Sequence, residues 1–175
     1  MNEIDLQPFC STEFARPYLH RPFSVGEFTY ATNGHILVRV PLLSGVEPPS
    51  ESVDVGRVFE MMGSDRNFIP LPSLETIPAD IGPCAECDGR GTLHNCPDCE
   101  HDCPACSCKG EKKMSVRLLG KAVFNAKYLL MIGRLPGPIE VSFSDGVNPT
   151  FFLFDGGHVA LMPMLLDAPD IEIVE

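Results

Sequence analysis

Apolar residues in this chain fall into short alternating runs separated by turn residues, the pattern of half-buried strands joined as hairpins. Phe28-Thr29-Tyr30-Ala31 and Ile36-Leu37-Val38-Arg39-Val40 flank Asn33-Gly34. Further on, Ile139, Val141 and Phe143 alternate with Glu140, Ser142 and Ser144, and residues 151–154 and 159–162 are apolar runs of strand length. Asp145-Gly146 and Asp155-Gly156 punctuate this region. Asn-Gly and Asp-Gly supply the positive φ angles that tight turns require. The last three runs therefore predict a three-stranded antiparallel meander closing the domain.

Two stretches switch to helical spacing. In the first, Asp54 stands as N-cap, Val55, Val58, Phe59 and Met62 share a face, and Gly63 stops the helix. In the second, Asn125 caps, Ala126, Leu129 and Leu130 share a face with Gly133, and Pro136 prevents continuation. Both place apolar residues before the cap and at the fourth helical position, Val53 with Val58 and Phe124 with Leu129, the hydrophobic staple arrangement. The parallel hints at an internal duplication with other material inserted between its halves. The proline-rich segment 69–83 reads as an irregular lead into that insertion, and the acidic residues 167–175 as a tail over the surface.

The insertion contains Cys84-Ala-Glu-Cys87-Asp-Gly-Arg-Gly91, then Cys96-Pro-Asp-Cys99, then Cys103-Pro-Ala-Cys106-Ser-Cys108. Disulfide scaffolds spread their cysteines over the fold, whereas seven of the eight cysteines here lie between positions 84 and 108. Two-residue spacing lets both sulfurs of a pair address one ion, and a second pair completes a tetrahedron. Besides cysteine the segment offers only Ala85, Leu93 and Ala105 as apolar side chains, too few for a core. Structural zinc supplies about 10–16 kcal/mol of apparent binding energy, enough to order such a loop. One tetrahedral site leaves three sulfurs over, so a second site needs another ligand, His101 or His94.

Composition narrows the remaining possibilities. Hydrophobic residues at 44% and charged residues at 21% describe an ordinary globular chain of 175 residues. No apolar run approaches the ~20 residues of a membrane span, and the acidic start carries no secretory pattern, so a cytoplasmic protein without membrane contact is expected. A net charge of −11 argues against coating nucleic acid with the whole surface. Yet Lys109, Lys112, Lys113, Arg117, Lys121, Lys127 and Arg134 crowd one stretch against the single acid Glu111. Of these, Lys112, Lys113, Lys121 and Lys127 are the candidates for contact with a DNA backbone. The alternative is a solvated face that balances acidic neighbours.

The cysteine pattern resembles the zinc module of DnaJ-type co-chaperones, which repeats Cys-x-x-Cys-x-Gly-x-Gly; Cys84, Cys87, Gly89 and Gly91 match it in full. By that resemblance Cys84, Cys87, Cys103 and Cys106 hold one zinc, and Cys96, Cys99, Cys108 and a histidine a second. Only three complete pairs exist and no J-domain precedes them, so the resemblance bears on metal chemistry alone. Pro83-Cys84-Ala-Glu-Cys87 also matches half of a zinc-deaminase signature, but the upstream His-x-Glu half is missing.

The flanks resemble bacterial DNA polymerase sliding clamps. Phe124-Asn125-Ala126-Lys127-Tyr128-Leu129 is similar to the clamp's Phe-Asn-x-x-Tyr-Leu, and residues 160–166 to its closing Ile-Met-Pro-Met-Arg-Leu, with Leu165 in place of arginine. Ala31-Thr32-Asn33-Gly34-His35 is similar to its Ala-Thr-Asp-Gly-His hairpin. The resemblance implies an α+β DNA-clamp-like domain over 1–80 and 111–166, built of two βαβββ halves. Two helices would pack on one face of its antiparallel sheets, with a zinc module inserted at 81–110. It also implies a pocket for partner peptides at Met162, Pro163 and Met164, and a homo-oligomer if DNA is encircled. No Ser/His/Asp set, phosphate-binding Gly-Lys loop or spaced carboxylate pair points to an enzyme. A zinc-binding, non-enzymatic accessory protein for DNA or a replication partner is thus expected, the alternative being a zinc-dependent protein-binding adaptor without a DNA role.

Overall fold

A computed structural model describes residues 4–88, 90 and 112–175 in full, and the backbone of 92–96 and 99–102. Two 3-10 turns, Gln7–Phe9 and Pro17–Leu19, lead into β1 (Phe23–Val25), β2 (Phe28–Thr32) and β3 (Ile36–Pro41). Helix α1 (Gly56–Glu60) and β4 (Ile69–Pro70) follow. The insertion contributes a hairpin of β5 (Thr92–Cys96) and β6 (Cys99–Asp102). The chain continues through β7 (Ser115–Leu118), β8 (Ala122–Asn125), α2 (Ala126–Ile132), β9 (Glu140–Ser142), β10 (Thr150–Phe154), β11 (Gly157–Leu161) and β12 (Ile171–Ile173).

Seven strands form one antiparallel sheet in the order β1-β2-β3-β11-β10-β9-β4. Its central seam joins sequence-distant strands, with Val38 opposite Val159 and Ile36 opposite Leu161. The expected meander is present as β9-β10-β11. A second sheet, β12-β7-β8, pairs β12 with β7 in parallel.

The large sheet is apolar on both faces. Ile36, Val38, Phe152 and Val159 join the cluster that contains α2's Leu129 and Ile132. Their chain neighbours Leu37, Phe151 and Ala160 join a second cluster with α1's Phe59. Because successive strand residues point to opposite faces, α1 and α2 pack on opposite sides of this sheet. That corrects the expectation of two helices on one face. The Arg39 guanidinium lies over the rings of Phe28 (4.5 Å) and Phe59 (4.1 Å), adding cation–π contacts where α1 docks.

The second half follows β-α-β-β-β order through β8, α2, β9, β10 and β11, as the clamp resemblance implies. The first half does not: three strands precede its helix. Asn125 caps α2 as read from the sequence, its Oδ1 accepting from the Lys127 N–H at 3.0 Å. At α1 the N-cap is Val55 without a side-chain bond, and Asp54 instead faces Arg57 at 3.5 Å. A helix of five residues gains its order from packing Phe59 rather than from its cap. The C-terminal segment is likewise no free tail. Ile171 and Ile173 sit opposite Val116 and Leu118, and Asp170 accepts from the Ser115 N–H (2.7 Å) and hydroxyl (2.8 Å). Alternation of Ile171 and Ile173 around Glu172 was the overlooked strand signal.

Candidate functional site: a groove at the Met162–Met164 strap

Three segments far apart in sequence meet at one groove. The β2–β3 turn is held by its own polar atoms: the His35 and Ile36 N–H groups donate to Asn33 Oδ1 (3.0 and 3.2 Å). Thr32 Oγ1 donates to the Ile36 carbonyl (2.7 Å) and accepts from the Gly34 N–H (3.0 Å). Gly34 has φ +91°, and a Cβ there would lie 2.5 Å from Arg16 Nη1, so glycine meets both the turn and the close approach. The turn then docks on α2. Asn33 Nδ2 donates to Tyr128 Oη at 3.2 Å, and the His35 ring stacks on Tyr128 with centroids 6.2 Å apart.

Residues 162–164 form a strap between the two sheets. The Met162 N–H donates to the His35 carbonyl (2.9 Å), and the Met164 N–H to the Val123 carbonyl (2.7 Å). Pro163 stands between them, where no partner for an N–H is needed. Beside the strap and turn lies a groove of about 600 Å³, with Leu130, Met131 and Arg134 on its α2 wall. Residues 126, 129 and 132 face the core, 127, 130 and 131 reach the groove from the helix's other positions, and Arg134 follows its end. The contributions of Glu13 and of residues 80–82 had no local signal at all.

Lys112, Lys113 and Lys127 line this groove together with Met162, Pro163 and Met164, uniting residues assigned from the sequence to two different partners. Lys121 does not line it; it sits in the β7–β8 turn, its N–H donating to the Leu118 carbonyl (3.0 Å). Among the described residues, four cations, Lys112, Lys113, Lys127 and Arg134, and two acids, Glu13 and Asp80, line it. Met162, in the lining, is 42% exposed.

The cysteine insertion is rooted at the groove's rim. The Lys112 N–H donates to the Gly82 carbonyl at 3.1 Å, tying its two ends together. Cys84 and Cys87 are buried at 4% and 0% exposure yet belong to neither apolar cluster. In the β5–β6 hairpin Cys96 and Cys99 are paired directly opposite one another. The strands also carry His94 and His101, whereas Cys103, Cys106 and Cys108 lie outside the described residues. Among the described side chains no set of three metal-binding groups converges. Cys10 differs in kind: it packs in the main core, and burial pushes its thiol up to about 11.

No protein-family model matches this chain, and no curated protein matches it in sequence. Its structure, however, is similar to bacterial sliding clamps. A C. crescentus β sliding clamp, solved with PEG bound, aligns at 17% identity and TM-score 0.51, over 92% of this chain and 62% of the clamp. The DnaN sliding clamp (DNA polymerase III subunit beta) of Bartonella birtlesii, solved bound to griselimycin, aligns at 17% and 0.53, over 91% and 62%. A second Caulobacter crescentus clamp structure gives 18% and 0.52, over 92% and 61%. The fold is therefore clamp-like, and the chain spans about 62% of the clamps it matches. Among the described residues no helix is long and apolar enough to cross a membrane.

Proposed function

We propose that this chain is a non-enzymatic, clamp-like accessory protein that holds a peptide segment of a replication partner in the groove at Met162–Met164. The observation that carries this reading is the convergence of the β2–β3 turn, the α2 wall and the Met162-Pro163-Met164 strap on one partly apolar cavity. A groove of this volume suits a few side chains of an extended segment. Exposed Met162 adds apolar surface available to it.

The groove reading assigns Lys112, Lys113 and Lys127 to the peptide site rather than to a DNA backbone. Helices on opposite faces of one sheet cannot offer a single face to a duplex, and on α1 Arg57 is offset by Asp54. Zinc, proposed as the insertion's cofactor, suits its donors: two buried thiols outside any apolar cluster and a second cysteine pair opposed at a hairpin end. Cys84, Cys87, Cys96, Cys99, Cys103, Cys106, Cys108 and His101 are the proposed donors. The metal count of single-pair variants tests how they group, the DnaJ-type pairing included.

Fluorescence anisotropy with a labelled leucine- and phenylalanine-rich peptide and a labelled DNA duplex tests the reading. Peptide binding that Met162→Ala weakens, with little duplex binding at moderate salt, is the expected result. Salt-sensitive duplex binding that Met162→Ala leaves unchanged would refute it.

A further inference from the structure

The groove's charge specifies its occupant further, on the premise that it is a peptide site. We infer that the partner segment is acidic: an extended stretch whose apolar residues rest on the Met162–Met164 strap, and whose flanking carboxylates meet a lip built by Lys112, Lys113 and Arg134. The chain carries a net charge of −11, so an acidic partner is repelled by most of its surface. The groove reverses that sign locally, with four cations against two acids among the described residues.

Asp80 Oδ1 accepts from the Gly82 N–H at 2.9 Å on its own loop. Asp170, close enough to Lys112 to be influenced by its charge, is engaged by Ser115 through two hydrogen bonds. The lip also has two structural origins. Lys112 and Lys113 emerge from the root of the cysteine insertion, whereas Arg134 follows the end of α2. An anionic nucleic-acid strand is the competing occupant. The floor here is methionine, proline and leucine, and Tyr128, the groove's aromatic side chain, is already stacked on His35. Sequence-tolerant strand binding relies instead on open aromatic platforms. The apolar floor thus favours a peptide.

The test uses the full chain and three labelled peptides sharing a leucine–phenylalanine core, flanked by glutamate, serine or lysine, with an unlabelled DNA strand as competitor. The glutamate-flanked peptide is expected to bind ~10-fold more tightly than the serine-flanked one, and the lysine-flanked one most weakly. Lys112→Glu and Arg134→Glu, on separate elements, should each weaken the glutamate-flanked peptide ~5-fold and change the serine-flanked one less than ~2-fold. Met162→Ala should weaken all three alike. Equal affinity for the three flanks would overturn the acidic-partner inference while leaving the groove as a peptide site. Displacement of every peptide by the DNA strand, with Lys112→Glu abolishing that competition, would assign the lip to nucleic acid. Absence of binding by any peptide would overturn both the inference and the reading beneath it.

Discussion

In the seven-stranded sheet, adjacent residues of one strand serve two apolar clusters, Leu37 on one face and Val38 on the other. In the insertion, among the described residues, the only buried side chains between positions 81 and 90 are Cys84 and Cys87, and neither joins a cluster. The first region gains order from area removed from water, at about 25 cal/mol per Å². In the second, the buried side chains among the described residues are thiols, and the metal binding proposed above would supply order that apolar burial there does not. The groove lies where the two regions meet, with Met164 on the sheet side and Lys112 at the root of the cysteine-rich segment.

The largest expected effect is on the insertion alone. Stripping metal with a chelator should remove about 10–16 kcal/mol of apparent ordering energy from it. Proteolysis should then cut between positions 84 and 102, while the main thermal transition stays in place; a collapse of that transition would show that the two regions are not separable. Phe152→Ala acts on the other side of the comparison. It empties a fully buried ring that meets Phe124 edge-on at 6.3 Å, and should cost about 3–5 kcal/mol in denaturant unfolding without altering metal content. Gly34→Ala forces an L side chain into φ +91° and displaces Arg16, costing about 1–2 kcal/mol and weakening peptide binding more than stability. Asn125→Ala removes the α2 cap and should cost about 1 kcal/mol by the same unfolding measurement.

The smallest effect concerns pH. The Ser115 N–H, then the Ser115 hydroxyl, hold the Asp170 carboxyl below its ordinary range. A depressed folded-state value means a contribution present above the unfolded value and lost as pH falls through the folded one. The His158 ring is also lowered, chiefly by burial and then by Arg39, so its protonation penalises the folded state in the same direction, beginning below about pH 6.5. Stability should therefore decline on acidification. Asp170→Asn should remove only a few tenths of a kcal/mol of that dependence below about pH 4, because the group is exposed to solvent.

Local chemistry accounts for what was legible in the sequence. Asn33-Gly34, Asp155-Gly156 and the Asn125 cap act within a few residues, and each appears where its residue types require. The clamp-like segments 31–35, 124–129 and 160–166 were each short, yet the structure gathers them around one cavity. What escaped notice was non-local. The parallel pairing of Ile171–Ile173 with β7 and the placement of α1 and α2 on opposite faces depend on partners scores of residues away. Along the chain the basic stretch reads either as a DNA-facing patch or as a solvated face. In space, Lys112, Lys113 and Lys127 turn to the groove and Lys121 does not, a division that spacing alone cannot reveal.

Hydrogen exchange on the full chain, with and without the glutamate-flanked peptide, addresses the groove most directly. Binding should slow exchange together in the Asn33–His35 turn, along α2 and at Met162–Met164, leaving β1 and α1 unchanged. Slowing confined to the cysteine insertion, or spread over α1 instead, would contradict the assignment of these three segments to one binding site.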